Sequence, residues 1–159
     1  MAKHIMNDTE PAWDALSKKI FAYAARVHQN MGSGYSEATY AMCLILEFKK
    51  NGMPYKNIEP MFVNYQGERI ACGSWINFLV NEQVLVELKS TTQFLPIDEI
   101  QLLASMKAAN ATVGLFINFS ANSIDDGVKR FTMPTTEQTH SELFKAKRLT
   151  KITQDEDTK

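Results

Sequence analysis

Apolar residues recur at steps of three and four in two stretches of the first third of the chain. This spacing places them on one face of an amphipathic helix. The first stretch runs from Trp13 to Met31 and ends at Gly32, which suits a left-handed helix cap. The second follows Ser36, a favourable N-cap residue, and ends near Gly52. The pattern therefore predicts two helices before the first strand.

The middle of the chain changes to patterns typical of strands. Residues 55–65 and 69–80 predict two strands, joined by a hairpin turn at Gln66-Gly67. After a short polar turn, the β-branched run of residues 84–89 predicts a third strand. These three segments predict an antiparallel meander.

A helical pattern over about residues 97–109 separates this third strand from a second apolar strand at 113–119. Pro96 precedes the helix, and acidic residues occupy its first turn. A helix between two apolar strands implies a crossover and a parallel strand pair. Residues 128–133 predict a short last strand. The expected fold class is α/β, with a mixed central sheet flanked by helices.

Composition is that of one compact domain. The 159 residues are 45% hydrophobic and carry a net charge of -1, which argues against disorder over most of the chain. We expect a disordered leader at 1–10, a domain at 11–134 and a polar tail at 135–159, in which Leu143, Phe144 and Leu149 suggest a short helix.

The sequence argues against several functional classes. No apolar run is long enough for a membrane span, and the polar N-terminus is unlike a secretory signal, so we expect a cytoplasmic protein, or a nuclear one in a eukaryotic host. Two cysteines outside a CxxC pair and scattered histidines argue against zinc. A pI near 6.3 argues against strong non-specific DNA binding.

Glu87 and Lys89 carry the strongest chemical signal. Residues two apart share one face of a strand, so this carboxylate and this ammonium group should emerge together from a strand that is otherwise apolar. An ordinary ion pair at a strand end is one reading, and burying either charge alone would be costly. A cleft that uses both charges is the other.

The predicted hairpin adds metal-ligating oxygens to that neighbourhood. The turn at 81–83 would fold Asn77 back towards Glu87. Hard divalent cations prefer oxygen ligands, which Asn77, Glu87 and the backbone carbonyl of Leu88 could supply. Lys89 could then hold an attacking water or neutralise a phosphate. This constellation would suit cleavage of a phosphodiester.

Five segments together resemble the GxxExxY family of the PD-(D/E)xK nuclease superfamily, over about residues 20–133. That resemblance implies a restriction-endonuclease-like core, a magnesium or manganese ion and a nucleic-acid substrate, with DNA favoured over RNA. It also brings Glu37 towards the metal and Gln101 towards the active cleft. The matching segments are Gly34–Tyr40, Val86–Lys89, Leu95–Leu103, Val113–Phe119 and Lys129–Phe131.

Two positions depart from the family pattern. Asn77 stands where the family has a metal-binding aspartate, and Ser105 where it has a tyrosine. A unit charge at about 4 Å is worth roughly 4 kcal/mol at an effective dielectric near 20, about a thousandfold in cation affinity. Metal binding is then weak or absent. Natural divergence and an engineered change both fit Asn77, and the atypical Trp75 nearby favours divergence.

Two hypotheses follow from the resemblance. The first is a magnesium-dependent nuclease, impaired or inactive, in which Glu87 and Glu37 hold the ion, Asn77 is a weakened ligand and Lys89 assists the attacking water. The second is a non-catalytic module that binds nucleic acid or protein on a nuclease fold. A homodimer is compatible with either, since nucleases of this build often use a second subunit to handle both strands. No membrane partner is expected.

Overall fold

The computed structural model describes residues 14–133, and for residues 58–61 and 72–77 it describes the backbone alone. The expected leader and polar tail lie outside the described residues. Within this range the helices are α1 (Ala15–Met31), α2 (Glu37–Lys50), α3 (Pro96–Ala108) and the short α4 (Ile124–Gly127). The strands are β1 (Tyr55–Tyr65), β2 (Glu68–Val80), β3 (Val84–Lys89), β4 (Val113–Asn118) and β5 (Val128–Thr132).

The five strands form one mixed sheet in the order β1-β2-β3-β4-β5. The first three strands make an antiparallel meander, and β5 lies antiparallel to β4. Strands β3 and β4 are parallel, with α3 as the crossover between them. The predicted α/β class with a mixed, helix-flanked sheet is confirmed, and it is consistent with a restriction-endonuclease-like core.

Each face of the sheet has its own apolar core. Alternation along β3 divides the strand, because Val84, Val86 and Leu88 face α1 and α2, whereas Leu85 faces α3. The α1–α2 side is the larger core and includes most of the buried aromatic rings. Its members include Tyr23, Tyr40, Phe48, Phe78 and Phe119.

Helix α3 lies unusually close to β4 at Gly114. A Cβ atom built there would overlap the Met106 sulfur and approach Leu102 Cδ1 to 3.4 Å. A glycine therefore sets the spacing between the crossover helix and the sheet. The start of α3 lies near the charged pair at the other end of β3, since the negative charge of Asp98 acts on Glu87.

An ion pair joins the residue that caps the start of α1 to strand β5. Asp14 caps α1 by accepting a hydrogen bond from the Ser17 amide at 2.8 Å. Its carboxylate also pairs with the guanidinium of the buried Arg130 at 2.9 Å. Burial acts to raise the pKa of Asp14, but the hydrogen bonds from Ser17 and Arg130 outweigh it and lower that pKa to about 2.

Local signals in the sequence account for most element ends. Gly32 caps α1 with a positive φ of 69°, and the Ser36 side chain caps α2. Gln66 and Gly67 both have positive φ at the β1–β2 turn. The short helix α4 was missed, because four residues carry too little periodicity to be detected. None of the described helices is long and apolar enough to cross a membrane.

Candidate functional site

Glu87 and Lys89 meet on the α3 side of the sheet. Both side chains leave the same face of β3, and Lys89 Nζ lies 3.5 Å from Glu87 Oε1. The Glu87 side chain is 14% exposed and that of Lys89 is 25% exposed. The strand alternation predicted this shared face, and the contact confirms that the two groups are neighbours. The pair occupies the open end of an otherwise buried strand.

The surroundings of Glu87 oppose its negative charge. Burial raises the pKa of this carboxyl above its ordinary value of 4.5, and the neighbouring negative charges of Asp98 and Glu37 act in the same direction. The ammonium group of Lys89 partly offsets this effect through its charge and a hydrogen bond. Glu87 therefore depends on Lys89 as its nearest positive partner.

Glu37 reaches the carboxyl end of β3 from the first turn of α2. Its Oε1 accepts a hydrogen bond from the Ser90 amide at 3.3 Å. The Ser90 hydroxyl donates to the Tyr35 carbonyl at 2.8 Å. These contacts join the start of α2 to the residue that follows Lys89. Glu37 is thus near the pair, as the resemblance implied, but its observed partner is backbone.

The buried amide of Asn118 holds the loop after β3. Its Oδ1 accepts from the Thr91 and Ser120 amides, each at 3.1 Å, and its Nδ2 donates to the Thr91 carbonyl at 2.9 Å. Asn118 lies beside Lys89 in the parallel register of β3 and β4. Its position at the end of a buried strand was a signal for such a role, but the sequence interpretation did not use it.

Three further residues were predicted at the site, with Leu88 contributing only its backbone carbonyl. The Leu88 side chain is fully buried on the opposite face of β3, and Gln101 is exposed on α3. Asn77 precedes Phe78, which pairs with Val86, but the Asn77 side chain lies outside what the structure describes. Asp98 was missed as a site residue, because an acid in a first turn already has a structural role: it accepts from the Leu95 amide.

Comparison with known protein families identifies the superfamily of this chain. A family model described as the PD-(D/E)XK nuclease superfamily matches residues 14–131. The chain belongs to the PD-(D/E)XK nuclease superfamily. The match spans both helices of the larger core, the whole sheet as far as Phe131 and the crossover helix. Searches of curated proteins and of solved structures found no match.

PD-(D/E)XK nucleases generally use divalent metal ions, which need several oxygen ligands close together. Among residues 14–133, with the backbone-only segments set aside, no three His, Cys, Asp or Glu side chains lie together as a metal site. One oxygen of Glu87 already faces Lys89, and Glu37 accepts from Ser90. Glu87 and Glu37 are described carboxylates at the carboxyl end of β3 that could hold such an ion, and each also has a partner within the protein.

Proposed function

We propose that this chain is a nuclease-like, nucleic-acid-binding protein whose metal-dependent phosphodiester cleavage is impaired or lost. The family match supports a nuclease-like function. The observation that carries the proposal is the Glu87–Lys89 pair, in which a partly buried carboxylate has an ammonium group 3.5 Å away as its positive partner. We also propose that the chain falls within the GxxExxY group, on the motifs given above.

Each site residue has a role in this proposal. Lys89 is the group that would face the phosphate or the attacking water, and Glu87 holds the ammonium in place. Glu37 supports the loop after β3 through Ser90, and it would join Glu87 as a ligand if a magnesium or manganese ion enters. Asn77 would contribute a neutral oxygen, together with the Leu88 carbonyl, and Gln101 would line the cleft from α3.

Restoring the missing charge tests this proposal. The Asn77→Asp variant should gain magnesium- or manganese-dependent cleavage of labelled DNA or RNA strands that the parent lacks or shows weakly. One added unit charge at about 4 Å should lower the metal concentration at half-activity by up to about a thousandfold. Asn110→Asp is the matched control, since it adds the same charge at the far end of α3.

Two further variants examine the roles within the restored protein. In the Asn77→Asp background, Lys89→Ala and Glu87→Gln should each abolish the gained cleavage while leaving the fold intact by circular dichroism. Cleavage that persists unchanged in Lys89→Ala would contradict the role given to this lysine.

A non-catalytic binding module is the second candidate. The pairing of Glu87 with Lys89 favours it, because a carboxylate that already has an ammonium partner gains less from a bound cation. Nucleic-acid binding by the parent at low salt, with no cleavage in parent or Asn77→Asp, would support this second candidate. Absence of binding in both proteins would exclude a nucleic-acid function and favour a protein partner.

A further inference from the structure

Three exposed apolar side chains lie on or beside the loops near the carboxyl end of β3. Tyr35 lies just before α2 and is 48% exposed, and Leu95 and Ile97 at the start of α3 are similarly exposed. Single exposed apolar residues are common on protein surfaces. Here, however, the loops that carry them flank the Glu87–Lys89 pair from the two faces of the sheet. Exposed apolar groups on both sides of a charged pair are a feature of binding surfaces.

Tyr35 is held firmly although its ring is exposed. Its amide donates to the Tyr40 hydroxyl at 3.3 Å, and its carbonyl accepts from the Ser90 hydroxyl at 2.8 Å. Its ring meets Tyr40 edge to face, with centroids 6.0 Å apart, and Tyr40 is stacked on the buried Phe119 at 4.3 Å. The Tyr35 ring is therefore the outermost member of an aromatic column that extends into the core.

The backbone before Tyr35 is shaped for this placement. Gly34 has a φ of 108°, a conformation that residues with a Cβ rarely adopt, and a Cβ there would meet no neighbouring atom. A glycine is therefore favoured here by the backbone dihedral angle and not by a lack of space for a side chain. Ser90, whose hydroxyl donates to the Tyr35 carbonyl, directly follows Lys89 in the chain. The exposed ring and the ammonium group consequently belong to segments that are hydrogen-bonded to each other.

We propose that Tyr35 is a stacking platform for an unpaired base, and that the nucleic acid this chain binds is single-stranded. This inference rests on the proposed function. Bases of a single strand offer their faces to aromatic side chains, whereas bases inside a duplex are covered by their neighbours. Lys89 would face the backbone of the same strand while its ammonium group stays paired with Glu87. A base on Tyr35 would bring its adjoining phosphate towards the Glu87–Lys89 pair.

Binding of a fluorescein-labelled single-stranded oligonucleotide by the full chain, measured by fluorescence anisotropy at low salt, tests the inference. Loss of one base–aromatic stack should weaken binding of Tyr35→Ala by roughly 5- to 150-fold. Tyr35→Trp should bind as well as the parent, because it keeps a π-face. Tyr35→Leu should bind as weakly as Tyr35→Ala, because it keeps apolar bulk without a ring.

Tyr65 provides a matched control in the same chain. It is 64% exposed and lies at the end of β1 in the β1–β2 hairpin, so Tyr65→Ala should leave binding unchanged. A duplex of the same sequence should bind more weakly than the single strand and should be insensitive to Tyr35→Ala. Thermal unfolding of each variant separates lost stacking from lost folding.

The outcomes distinguish this inference from the proposed function. If the parent binds single strands and Tyr35→Leu binds equally well, the stacking role of Tyr35 is wrong while nucleic-acid binding stands. Equal effects of Tyr35→Ala on duplex and single strand would overturn the single-strand preference. If the parent binds neither form, the proposed function fails and this inference fails with it.

Discussion

Replacing Lys89 by methionine should show how far the site depends on one positive charge. The variant keeps most of the aliphatic bulk and removes the ammonium group that lies 3.5 Å from Glu87. At that separation the attraction is about 5 kcal/mol at an effective dielectric near 20. Partial solvent exposure of both groups reduces the expected loss in the free energy of unfolding to about 2 kcal/mol at neutral pH.

The loss should depend on pH in a defined direction. Glu87 has a raised pKa in the folded protein, so its contribution to stability is fully present below the unfolded value of 4.5 and is lost as pH rises through the folded pKa. Without Lys89 the folded pKa of Glu87 rises further, and the pH range over which the folded protein loses stability becomes wider. The penalty of Lys89→Met should therefore be largest near neutral pH and fade as Glu87 becomes protonated.

Urea unfolding across this pH range measures the effect. Adding Glu87→Gln to Lys89→Met should restore most of the lost stability, because no buried charge then lacks a partner. Lys56→Met is the matched control, since Lys56 pairs with Glu82 at 3.2 Å but both side chains are well exposed. A penalty that is independent of pH, or that Glu87→Gln fails to relieve, would refute the electrostatic account.

Three other variants test packing and pairing elsewhere. Arg130→Met should partly flatten the acid side of the stability profile, because Arg130 acts together with the Ser17 hydrogen bonds to lower the pKa of Asp14. The stability that Asp14 contributes is present above its unfolded pKa of 3.8 and is lost as pH falls through about 2. An unchanged profile in pH-dependent thermal unfolding would contradict this. Gly114→Ala should cost about 1–3 kcal/mol by urea unfolding, and trimming Met106 to alanine in the same protein should lessen the added cost of the methyl group. Asn118→Ala should cost about 1–3 kcal/mol and speed hydrogen exchange at the amides it accepts from, whereas unchanged exchange would show that the loop is held by other contacts.

Periodicity and turn chemistry predicted most of the fold. The strand at Val84–Lys89 and the strand at Tyr55–Tyr65 have the predicted bounds, because β-branched content and glycine turns act locally. The crossover helix starts at Pro96, one residue earlier than predicted. The parallel pairing followed from chain connectivity alone. The close approach at Gly114 could not be predicted, since it depends on how a helix packs on the sheet.

The site was predicted less completely than the fold. Alternation along one strand was enough to place Glu87 beside Lys89. The roles of Ser90 and Asn118 arise from hydrogen bonds between segments far apart in sequence, and no local pattern encodes such bonds. The metal-ligand role of Asn77 stays a prediction, as does the position of Gln101 in a cleft.

The pairing of Asp14 with Arg130 also fixes the direction of α1 relative to the two ends of β4. Met133 is bonded to Thr112, at the amino end of β4, whereas Lys89 lies beside the carboxyl end of that strand. Asp14 is separated from the loop of Tyr35 by the full length of α1, about 25 Å. The pairing with Arg130 therefore holds the first turn of α1 near the amino end of β4, remote from Lys89, while the far end of the same helix leads to the loop that contacts Ser90.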